Sequence, residues 1–310
     1  MSADPGRVIG SYEEGKSGSL LVFLAGIHGN EPAGVRALER VFDKLDHLTS
    51  EFKGKMLGLC GNCRAMSEGR RYIDQDLNRL WGHREIARIK SKDEEQRNNE
   101  ERELIDLLAH FELAINSQAE RIIFIDLHTT SGVGGFFTII TQKKENRVLA
   151  EFLKAPIIFN LVDELQVTTS NYFDRKGITN LTFEAGQHND PTSIDLHEAA
   201  IWVLLEGCGC ISKDQIPGYY ENYMAILEAN ASKLPTYLDF RYRHNIGAQD
   251  EFIMNPGYRN FSRIEEGEAL AHDKNGTIYA PLGGIMLMPL YQQQGADGFF
   301  ITKELTQAPV

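Results

Sequence analysis

At 310 residues, with 42% hydrophobic and 25% charged side chains, the chain has the make-up of an ordinary soluble globular protein, long enough for one large domain and a smaller one. A formal net charge of −12 argues against nucleic acid and anionic membrane surfaces as partners, because both attract cations. No apolar run has the length of a membrane span and the N-terminus lacks a signal-peptide layout; with four cysteines offering no disulfide framework, the expected compartment is the cytoplasm.

In chain order, residues 19–27 (SLLVFLAGI) predict a strand buried on both faces, and AGVRALERVFDKLD after Pro32 predicts an amphipathic helix. Further strands are expected at 55–61, 121–127, 136–141, 156–160 and 180–185, with helices over 84–113 and 192–206. Strands alternating with helices predict an α/β domain over 1–210, a mixed sheet flanked by helices. The charge run 90–103 reads as a solvated helix face. From 211 to 310 the texture changes to a bridging helix at 218–229 and then short extended runs between Gly, Pro, Asn and Asp, which predicts a smaller C-terminal β domain.

Four segments carry chemistry. His28-Gly-Asn-Glu31-Pro32 follows the first buried strand, so His28 and Glu31 sit on a strand-to-helix turn where both can face one metal. The bare pattern is common by chance. RIIFIDLH ends a strand with Asp126 and His128 on one face, at the end of the sheet where α/β folds place ligands. Two His, one carboxylate and an open position form a catalytic zinc set, and Asp126 is a candidate supporting carboxylate whose bonded group the sequence does not fix. The four cysteines read as ordinary thiols. Asn62-Cys-Arg64 and then RRYIDQDLNRLW place four arginines in a loop of an acidic chain, which suits a carboxylate-bearing ligand, although Arg70 and Arg71 read as surface residues. Glu184 ends the apolar strand NLTFE and is the candidate general base.

Taken together, GIHGNE, GNCRAMSEGRRYIDQDLNRLW, FIDLH and TFEAG resemble the succinylglutamate desuccinylase/aspartoacylase family, an offshoot of the zinc carboxypeptidases; the tail from 253 to 290 also resembles the small β domain of that family. The resemblance implies one Zn²⁺ per chain on His28, Glu31 and His128, Glu184 as base and Arg64 at the oxyanion. It further implies that Asn78 and Arg79 hold a substrate carboxylate, with Arg175 and Tyr291 as further substrate contacts. The expected reaction is hydrolysis of the amide of an N-acyl amino acid or a similar small anionic amide, in a chain that resembles homodimeric relatives. A carboxypeptidase acting on peptides is the nearest alternative, disfavoured by Asn30, where true carboxypeptidases usually carry Arg; a deacylase of a larger amide or ester is another.

Overall fold

The structure is a computed structural model and describes residues 6–48, 51–247 and 249–309. The chain opens with β1 (Val8–Glu13), β2 (Leu20–Ala25), α1 (Ala33–Asp46), β3 (Lys55–Cys60) and α2 (Cys63–Ser67). Next come α3 (His83–Lys90), α4 (Asn99–Ile115), β4 (Ile122–Thr130), β5 (Phe137–Ile139), α5 (Lys144–Glu151) and β6 (Ile157–Phe159). Then follow α6 (Leu161–Leu165), α7 (Thr169–Arg175), β7 (Thr179–Gln187) and α8 (Thr192–Gly207); a π-helical turn at Tyr220–Met224 leads into α9 (Ala225–Ala231). The remainder is β8 (Tyr237–Asn245), β9 (Ile253–Met254), β10 (Arg263–Ile264), β11 (Ala269–Asp273), β12 (Gly276–Tyr279), β13 (Gly284–Leu287) and β14 (Asp297–Leu305).

Eleven strands form one mixed sheet in the order β1-β3-β2-β4-β7-β5-β6-β8-β14-β13-β10, and β12-β11-β9 form a small second sheet. The expected mixed sheet with flanking helices is therefore present. The C-terminal strands do not stand wholly apart, because β8 pairs parallel with β6 and carries β14, β13 and β10 onto the main sheet. No helix among the described residues is long and apolar enough to cross a membrane.

The period of two in the strands divides the core between the sheet's faces. In β2, Leu21, Phe23 and Ala25 join a cluster with α1 and α8, whereas Leu20, Val22 and Leu24 join a second cluster with α4 and Trp81. In β4, Phe124 belongs to that second face, so Asp126 and His128, two and four residues on, emerge there as well. In β7, Leu181 and Phe183 face the first cluster, which turns Thr182 and Glu184 to the same side as Asp126 and His128.

One helical expectation needs correction. The stretch 84–113 is two helices, α3 and α4, separated by an irregular turn. Asn98 starts α4 with a capping box: its side chain accepts from Glu101 N–H, and Glu101 accepts from Asn98 N–H. The charge run is not a uniform solvated face either, because Glu100 and Glu101 are buried.

Candidate active site

The first ligand segment hangs from the end of β2. His28-Gly29 passes so close to α2 that a Cβ on Gly29 would lie 2.1 Å from the Ala65 backbone, so only glycine fits there. Pro32 then opens α1, directing Glu31 inward beneath the turn. His28 Nδ1 lies 2.8 Å from Glu31 Oε1, and His128 Nδ1 lies 3.1 Å from Glu31 Oε2, which also accepts from Thr129 N–H at 3.0 Å. The far ring nitrogens are held by carboxylates: His28 Nε2 lies 3.1 Å from Asp76 Oδ1, and His128 Nε2 lies 3.2 Å from Asp126 Oδ2. The sequence left the partner of Asp126 open; it is His128 Nε2, and Asp126 also accepts from Thr169 Oγ1.

All three residues are buried, and one donor atom from each lies within 4.8 Å of the others. Two imidazoles and a carboxylate converging in this way fit a divalent ion such as zinc, with carboxylates orienting both rings from behind. No cysteine joins this set among the described residues. Burial alone would raise the Glu31 carboxyl, but His28 and His128 outweigh it and hold it well below the usual carboxylate range. Burial pulls the His128 ring down, yet Asp126 and Glu31 overcome this and raise it well above the usual imidazole value.

Glu184 pairs in register with His128 across β4 and β7. It is buried, its Oε2 has no hydrogen-bond partner, and burial pushes its carboxyl up to about 8, with Glu31 and Asp126 adding to the rise against His128. A desolvated, unengaged carboxyl beside a His–Glu–His set that could hold a metal ion makes Glu184 a candidate general base.

Arg71, Asn78 and Arg79 line the same cleft, which holds about 820 Å³ of empty space including its mouth. The loop that carries them is tied down by buried Glu100, whose two oxygens accept from the backbone N–H groups of Ile73, Asp74 and Gln75 at 2.7–3.2 Å. Asn78 Oδ1 accepts from Thr169 N–H at 3.0 Å. Arg79 donates to Asp297 Oδ2 at 2.7 Å, and Arg243 Nε donates to the other Asp297 oxygen at 2.6 Å. Arg71 donates to Asp76 at 3.0 Å and to Glu31 at 3.5 Å.

Three expected contacts are not brought together with this cleft. Arg64 is exposed on α2 and lies outside the lining; the helix turns its side chain outward while the loop beyond brings Arg71 in. Arg175 is exposed, and its guanidinium caps the carbonyls of Trp81 and Gln166. Tyr291 is 41% exposed and donates to Asn255 O at 2.7 Å, leaving the neighbouring Gln292 to line the cleft.

Sequence reasoning also passed over the segment 292–297. Gln292 Oε1 accepts from Asn30 at 2.7 Å and lies 3.1 Å from His188 Nε2, while Gln294 accepts from Arg71 N–H at 3.2 Å and donates to Tyr72 O at 3.1 Å. This strap closes the cleft from the C-terminal side. Three consecutive glutamines at 292–294 were the available signal, and nothing local ties them to a loop more than 200 residues earlier.

Residues 17–204 match the succinylglutamate desuccinylase/aspartoacylase catalytic domain. The chain belongs to this family. A succinylglutamate desuccinylase of Pseudomonas aeruginosa (strain UCBPP-PA14) is 26% identical over 285 residues, 87% of this chain and 79% of that protein. One from Paraburkholderia xenovorans (strain LB400) is 30% identical over 207 residues, 63% of this chain and 59% of that one. Among solved structures, a succinylglutamate desuccinylase/aspartoacylase from Rhodobacter sphaeroides has a TM-score of 0.65 at 17% identity, covering 94% of this chain and 87% of its own. The ectoine utilisation protein EutE (DoeB) of Ruegeria pomeroyi has a TM-score of 0.64 at 14% identity, covering 95% and 87%. At these identities the structures speak for a shared fold. A shared fold does not by itself specify a substrate.

Proposed function

We propose that the chain is a zinc-dependent amide hydrolase that releases an amino acid from a small N-acyl amino acid. The observation that carries this reading is the buried His28–Glu31–His128 donor set beside the unpartnered carboxyl of Glu184. Zinc held by the two Nδ1 atoms and the Glu31 carboxylate would supply a Lewis acid that acidifies water and polarises a carbonyl.

The chain's own residues do the rest. Glu184 takes a proton from the attacking water as the new C–O bond forms. It returns that proton to the amide nitrogen as the C–N bond breaks, so a carboxylic acid and an amine are released. Arg71, in the position first expected of Arg64, faces the oxygen on which negative charge develops. Asn78 and Arg79 orient the substrate carboxylate, using binding energy to hold the amide against the base. Asp76 and Asp126 keep the imidazoles aimed at Glu31.

The test is hydrolysis of a panel of N-acyl amino acids by zinc-loaded and chelator-stripped protein, with blocked dipeptides in the same assay. Zinc-dependent release of a free amino acid is the expected result. Stoichiometric zinc with no turnover of any N-acyl amino acid would remove this substrate class, and failure to bind zinc would remove the metal cradle.

A further inference from the structure

We propose that the amino acid released carries an apolar side chain and that the cleft accepts one substrate carboxylate, not two; this rests on the amide-hydrolase reading above.

The first observation is the change in character across one sheet face. From β4 through β7 that face presents Asp126, His128, Thr182 and Glu184. The next strand, β5, sets Ile139 opposite Thr182, and from there the face is apolar. Ile139, Val162, Leu165, Met288 and Phe300 line the cleft and belong to, or pack against, a single hydrophobic cluster.

The second observation is the state of the cations. The only Arg or Lys side chains among the described lining residues are Arg71 and Arg79. Arg71 is paired with Asp76 and Glu31, and Arg79 with Asp297. Asp297 reaches the cleft because a register irregularity in β14, between Asp297 and Phe299, lets both Asp297 and Phe300 line it despite their odd separation. One incoming carboxylate can share Arg79 with Asp297. A second carboxylate placed against the wall of Ile139, Val162, Leu165, Met288 and Phe300 would meet carbon alone, where a desolvated charge is strongly disfavoured.

The third observation is that the anchor and the apolar wall adjoin. Asp297 and Phe300 lie on one strand, and Trp81 N–H donates to Val167 O at 3.1 Å, tying the Arg79 turn to the chain just beyond α6 and Leu165. The group next to an amino acid's carboxylate is its own side chain, so that side chain meets the apolar wall.

The experiment compares kcat/KM of the zinc-loaded full chain for N-acetyl-L-leucine and N-acetyl-L-phenylalanine with that for N-acetyl-L-aspartate and N-succinyl-L-glutamate. The apolar pair is expected to be better by about tenfold or more, the scale on which a hydrophobic pocket discriminates. Equal or better turnover of the dicarboxylates overturns the inference and leaves the hydrolase standing; no turnover of any of the four with zinc bound removes the N-acyl amino acid reading on which the inference rests. Leu165→Arg, at a half-buried wall position, adds an unpaired cation and is expected to shift the ratio toward the dicarboxylates by about tenfold or more. A folded Leu165→Arg protein with an unchanged ratio would overturn the wall assignment. If that variant does not fold, inhibition of the unaltered enzyme reads the same pocket: L-leucine should inhibit more strongly than L-aspartate, and the reverse order overturns the inference.

Discussion

Glu184→Gln separates the roles of the proposed base more cleanly than any other substitution, because it acts on stability and on turnover in opposite directions. In the metal-free protein, burial holds the Glu184 carboxyl at about 8 instead of about 4.5. A raised carboxyl pKa means that the folded state holds a proton the unfolded state has released. Its stability contribution is therefore intact below about pH 4.5 and erodes as pH rises toward 8. At about 1.4 kcal/mol per pH unit, the erosion reaches on the order of 4–5 kcal/mol by about pH 9. Glutamine is neutral at every pH and removes this slope, whatever constant cost its amide adds. Urea unfolding of both metal-free proteins between pH 5 and 9 should show the variant gaining relative stability steadily with pH. Turnover of the zinc-loaded variant should fall by about 10²–10⁴-fold, the range for loss of a general base. Parallel pH profiles for the two proteins would refute the claim that Glu184 is a desolvated acid; an active variant would refute its role as base.

Other expectations follow from the same geometry. Arg71→Ala should lower kcat by about 10²–10³-fold, as for loss of a donor to a developing oxyanion, whereas Arg64→Ala should leave kcat within about twofold; the reverse ranking would restore the role first expected of Arg64. Glu100→Gln keeps the shape but replaces an acceptor of three backbone N–H groups, so thermal or urea unfolding should show a loss of about 1–3 kcal/mol together with a raised KM from the loosened 71–79 loop. An unchanged KM would show that Glu100 supports the fold without positioning the site.

The convergence of His28, Glu31 and His128 was legible in the sequence because His28 and Glu31 occupy the turn that leaves one buried strand and His128 lies at the end of another, where strand parity predicts which way the side chain points. The period of two placed Asp126 with His128 and Thr182 with Glu184, as found. The arginines were harder, because Arg64, Arg70, Arg71 and Arg79 lie in short helices and turns where sequence distance gives no spatial order. Only the folded loop shows that Arg71 turns inward while Arg64 and Arg70 stay outside. Glu100 was readable in part: it stands four residues before Leu104 and so continues the buried stripe of Leu104, Leu108 and Phe111, a signal hidden by the surrounding charges. The break before α4 was likewise present in Asn98-x-x-Glu101, a capping-box pattern. Asp297 and the glutamine strap had no local signal, since their partners are brought near only by the C-terminal strands joining the main sheet.

The charges around the cradle imply that metal and proton compete for it. Without metal, Asp126 and Glu31 overcome burial at His128 and raise the ring's proton affinity well above the usual imidazole value, and burial keeps a proton on Glu184 up to about 8. A dication needs the Nδ1 lone pair of His128, so that ring proton must leave; its charge also favours ionised Glu184 a strand away. Zinc binding should then release one to two protons near pH 7, and the apparent Kd should tighten by about ten- to a hundredfold per pH unit from 6 to 7.5. Competition titrations against a chelator of known pH dependence measure this directly. Glu184→Gln should reduce the slope by up to one proton without abolishing it, because the His128 proton remains to be displaced. A Kd that does not change over this range would mean that His128 is already neutral, and that Asp126 orients the ring without holding its charge.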